Sequence, residues 1–167
     1  MVKKEDLGGV LKKIARVIPG IGSYQDKESV RESDKELRLR LGKRLAEQLG
    51  LVEWLKTDQA KKGAFKHLTA LEDLTRHLEK VSRMIENASR GYAPLFSDRR
   101  VDEDALNRLF EYDKSLCDGL SEMDRTIKAM TAERALPDSE EIRNVRRQLN
   151  HMEKAVKDRE SLLKELG

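Results

Sequence analysis

Apolar residues recur along this chain in steps of three and four. Leu7, Val10, Leu11, Ile14, Val17 and Ile18 make one stripe, the spacing of a single helix face. Leu37, Leu41, Leu45 and Leu49 make a second. A third passes through His67, Leu71, Leu74, Leu78, Val81, Ile85 and Ala88. A fourth runs Leu109, Asp113, Leu116, Leu120, Met123, Ile127, Met130 and Arg134. The last runs Ile142, Val145, Leu149, Met152, Val156, Arg159, Leu163 and Leu166. Breakers separate them: Pro19-Gly20-Ile21-Gly22, Gly50, the stretch Ser89 to Val101, and Leu136-Pro137. The pattern predicts an N-terminal amphipathic helix over 5–18 and an elbow in 1–22. A body of residues 23–167 follows, with helices over about 24–49, 58–89, 102–135 and 138–166. The fold class is all-α, an elongated antiparallel four- or five-helix bundle with coiled-coil-like heptad packing.

Local signals refine the ends. Gly50 reads as a C-terminal cap and Thr57-Asp58 as the next start. The segment between holds the only tryptophan, Trp54, read as an apolar plug for one end of the bundle. Asp102 caps the following helix, and Asp138 with Glu141 forms a capping box for the last.

Two seam positions carry charge. If the last two helices fold back about residue 136, Asp113 and Arg159 fall in one layer. Folding about residue 95, in the middle of the preceding loop, brings His77 to that layer's edge. The first reading of this polar layer is register, because a buried pair penalises sliding by a heptad. A ligand or acid–base site is the second reading, and it lacks a nucleophile or cleft.

The chain of 167 residues is 39% charged and 4% aromatic, a composition of long helices. Its net charge is +3. Residues 1–22 supply the excess, with Lys3, Lys4, Lys12, Lys13 and Arg16 against Glu5 and Asp6, leaving 29 charges of each sign beyond them. A diffuse basic surface for nucleic acid is therefore not indicated. No run of about eighteen apolar residues occurs, so no membrane-spanning helix is expected. One cysteine, Cys117, suits a reducing cytoplasm.

The sequence carries no recognisable catalytic or cofactor signature. Di-iron bundles need Glu-x-x-His pairs, yet Ala64, Leu74 and Gln148 stand three before the histidines. There is no phosphate-loop or dinucleotide motif, and no thiolate zinc spacing. The expectation is a non-enzymatic interaction or scaffolding protein without cofactor or metal. Its partner is a protein or a second copy. Tyr92, Leu95 and Phe96 in the breaker loop seal the bundle beside Phe110 and Tyr112, or serve as a partner contact. The stripe over 5–18, with Lys12, Lys13 and Arg16 beside it, docks on the chain's own helices or lies on a partner. The alternative function is a peripheral membrane protein using that basic helix on the inner face of the membrane.

Two segments carry a resemblance. Ile18 to Glu28, continuing through Asp34, and Gly91 to Phe96 with Val101 to Asp113, resemble signatures of uncharacterised bacterial all-helical proteins. No activity comes with that family, so the resemblance implies a bacterial origin and an all-helical fold. An amphipathic N-terminal helix before long coiled helices is also similar to the layout of phage-shock and ESCRT-III membrane-remodelling proteins. The breaks at 91–101 and at Pro137 depart from their unbroken hairpin.

Overall fold

The computed structural model describes residues 27–88, 103–132 and 139–166. They form four α-helices and one short 3₁₀ turn, with no strand among the described residues: α1 Lys27–Lys61, the turn Phe65–His67, α2 Leu68–Glu86, α3 Glu103–Ala132 and α4 Ser139–Leu166. The chain is all-α.

α1 does not stop at Gly50. Burial explains why: Leu41, Leu45, Gln48, Val52 and Leu55 keep the three-and-four step on the inner face across the glycine. Each buried aliphatic contributes about 1.5–3 kcal/mol, which outweighs the roughly 1 kcal/mol that a mid-helix glycine costs. Leu49, expected on the seam, is only half-buried, and Gln48 takes the inner position.

The true stop is Gly63, whose φ of 69° lies in the left-handed region. Its N–H donates to Ala60 O at 3.1 Å, and Ala64 N–H donates to Gln59 O at 2.9 Å. These two bonds form a Schellman closure. Thr57 and Asp58 therefore lie inside α1 rather than starting a helix. The Thr57 hydroxyl bonds back to Glu53 O at 3.0 Å. His67 belongs to the short turn and precedes α2, so the α2 seam begins at Leu71.

α1 packs on α2, and α3 on α4; α2 also meets α4, and α1 meets α3. Within the first pair, Lys56 reaches Glu72 while Arg38 reaches Ala88 O, so the two run in opposite directions. Asp113 with Arg159, and Thr126 with Asn144, show the same for α3 and α4. α2 and α4 run the same way, with Asp73 near Arg146 and His77 near Glu153. The consecutive helices α2 and α3 scarcely touch. Folding them directly on one another about residue 95 was the wrong assumption. The long connection between them lets α3 settle beside α1 and α4 instead.

The core is largely aliphatic, with Leu45, Leu71, Leu120, Met123 and Ile127 almost wholly buried. Gly119 of α3 lies against α4. A Cβ there would sit 3.0 Å from Met152 Cγ.

Candidate functional site

Asp113 and Arg159 occupy core positions between aliphatic layers. Arg159 Nε donates to Asp113 Oδ1 at 3.1 Å, with side-chain exposures of 3% and 6%. Leu109 and Leu116 flank the carboxylate along α3; Val156 and Leu163 flank the guanidinium along α4. Two charges withdrawn from water this far survive only as a pair. The guanidinium has no proton to give at ordinary pH, and both groups are closed to substrate. The pair joins α3 to α4 within the core.

His77 is not part of that layer. Its Nε2 lies 3.1 Å from Glu153 Oε2. Glu153 precedes Arg159 by six residues, about 9 Å along the helix at ~1.5 Å per residue. The cause is the same topological difference: α2 faces α4 rather than α3, so a fold-back about residue 95 gave the wrong layer.

Glu153 is itself a junction. Lys157 from its own helix, Lys80 from α2 and His77 from α2 all bond its carboxylate. These bonds, those from Lys157 and Lys80 foremost, hold its pKa down to about 2. Asp124 plays the equivalent part between α3 and α1. It accepts from Gln48 Nε2, lies 3.6 Å from Arg44 and bonds Lys128 at 2.9 Å. Burial pushes that carboxyl up, and the bonds from Lys128 and Gln48 outweigh it, leaving the net shift downward. Lys56 joins Glu72 of α2 to Glu53 of its own helix, which raises its pKa. Each contact between helices thus carries a carboxylate that is bonded across it.

Cys117 is half-buried beside the polar layer. Burial first, then the Asp113 and Asp118 charges, push its thiol up to about 11. It is a neutral thiol at physiological pH and a weak nucleophile. Among the described residues, no three His, Cys, Asp or Glu side chains gather as metal ligands. Nor is any described helix long and apolar enough to cross a membrane.

The surface holds what the interior does not explain. Leu39 is 60% exposed, Trp54 45% and Phe65 67%. Trp54 was expected to plug the end of the helices. The inner face of α1 passes through Val52 and Leu55 instead, and the helical period turns residue 54 outward. That signal was present in the sequence, but the assumed break at Gly50 hid it.

No family model, curated protein or solved structure matches the chain. The functional reading therefore rests on these residues. Tyr92, Leu95 and Phe96 lie outside the described residues. So does the stripe of Leu7, Val10, Leu11, Ile14, Val17 and Ile18, with Lys12, Lys13 and Arg16.

Proposed function

We propose that this chain is a non-enzymatic interaction or scaffolding module, built as an elongated four-helix bundle with coiled-coil-like packing. The sequence pattern of residues 5–18, outside the described residues, adds the expectation of an amphipathic segment. The observation that carries the reading is the division of its side chains. Among the described residues each helix contact carries a carboxylate bonded across it, whereas three large apolar side chains are exposed. Large apolar side chains left on the surface of a well-filled core are the usual material of protein contacts. Tyr92, Leu95 and Phe96, which stand between α2 and α3 in the sequence, are further apolar candidates for such a contact.

The second reading is a peripheral membrane protein that inserts residues 5–18. Their apolar stripe beside Lys12, Lys13 and Arg16 favours it, since basic amphipathic helices bind anionic lipid. Co-sedimentation with anionic vesicles separates the two readings, using the full chain and a version starting at Ser23. The interaction reading predicts that neither pellets. Pelleting of the full chain alone would replace it with the membrane reading.

A further inference from the structure

α1 presents apolar side chains on two sides, the outer of which also holds the exposed Lys43 and Lys61. One carries the core. On the other, Leu39, Ala46, Gly50, Trp54 and Thr57 are all exposed and share one side of the helix. Leu39 and Trp54 mark its ends, about 22 Å apart at ~1.5 Å per residue. Gly50 lies between them, and a Cβ added there would meet nothing within 4 Å. No packing among the described residues requires that glycine, although it weakens the helix by about 1 kcal/mol relative to alanine. A glycine facing outward between two exposed apolar side chains suits the close approach of another helix.

Charge identifies that helix. Before Ala46 the exposed and half-exposed residues on this side of α1 include Lys35, Arg40 and Lys43, against Glu36; after it come Glu47, Glu53 and Asp58, against Lys61. The face is basic toward its start and acidic toward its end. A second α1 laid antiparallel sets basic half against acidic half, which steers and fixes orientation. A parallel copy sets like against like. Residues 5–18 are poorer occupants, because Lys12, Lys13 and Arg16 repeat the sign of the basic half.

We infer that the outer face of α1 is a self-association surface on which a second copy lays its own α1 antiparallel, centred near Ala46 and Glu47. The inference rests on the interaction reading and names its partner. In this register Leu39 of one copy meets Trp54 of the other, and Lys43 of each reaches Glu47 of the other. The two-fold arrangement closes, so association stops at two.

Sedimentation velocity of the full chain over a dilution series tests it, with Leu39→Glu and Trp54→Glu beside the wild type. The expected species is twice the 19.2 kDa chain mass. Each charge variant raises its dissociation constant by about tenfold or more while helicity by circular dichroism stays unchanged. In a Cys117→Ser background, oxidising a mixture of Leu39→Cys and Trp54→Cys chains gives the mixed disulfide dimer, and neither chain alone cross-links. A wild type monomeric at every concentration overturns the inference. So does a dimer that both charge variants leave intact, or one lost only when residues 1–22 are removed. Self-linking of each single-cysteine chain overturns the antiparallel orientation. A monomer that also fails to pellet with vesicles removes this surface without reviving the membrane reading.

Discussion

Arg159 Nε lies 3.1 Å from Asp113 Oδ1, and the two side chains are almost wholly enclosed by aliphatic neighbours. Such a pair adds little net stability, because desolvation offsets much of its attraction, yet removing one member strands the other. Asp113→Ala is expected to cost about 3–5 kcal/mol. The double variant Asp113→Leu, Arg159→Met is expected to match or exceed the wild type. Urea unfolding followed by circular dichroism reads both. A single variant costing as little as a surface change would remove the register role.

Glu153 gives the acid side of stability a defined window. Its folded pKa of about 2 lies below the ordinary value of 4.5. A depressed carboxylate contributes stability above its unfolded pKa, and that contribution is lost as pH falls through the folded value. Stability should therefore decline between about pH 5 and pH 2, as Lys157, Lys80 and His77 lose an ionised partner. Glu153→Gln should be less stable at neutral pH and show a shallower decline over that window. Thermal unfolding across the series measures it, and an equally steep decline in the variant would contradict the assignment.

Two glycines of the first hairpin predict opposite outcomes for one substitution. Gly50 is helical and exposed with open space around it, so Gly50→Ala should stabilise the dilute protein by about 1 kcal/mol. Gly63 closes α1 with φ of 69°, so Gly63→Ala should cost about 1–2 kcal/mol. Chemical denaturation of the pair checks the sign of each.

Gln59 is 1% exposed, and neither its Oε1 nor its Nε2 has a hydrogen-bond partner among the described residues. Leaving such a group unsatisfied costs about 1–3 kcal/mol. Gln59→Leu should therefore raise the melting temperature, at about 2–4 °C for each kcal/mol recovered in a chain of this size. A lowered melting point would show that the amide contributes a contact the fold needs.

The sequence was most legible where seams were unbroken and connections short. α3 and α4 meet through a brief link at Leu136-Pro137, so fold-back arithmetic could place Asp113 opposite Arg159. The same arithmetic misplaced His77, because the connection after α2 is long enough to carry α3 away from it. α1 was misread for a different reason. Gly50 is a local stop signal, but burial of Val52 and Leu55 overrides it. The glycine that does stop the helix, Gly63, follows Lys61 and Lys62 where basic residues complement a helix end. Once α1 is continuous, Trp54 turns from core to surface. The most informative surface was thus hidden by one wrong boundary.

Polar pairs join the helices of this chain, and the outer face of α1 is the proposed self-association surface. Its most direct test is the solution mass of two variants under one set of conditions. If the proposed dimer forms, Asp113→Leu, Arg159→Met should keep its mass, while Trp54→Glu should fall to the mass of a single chain with its helicity intact. Loss of the dimer in the first and its retention in the second would contradict it.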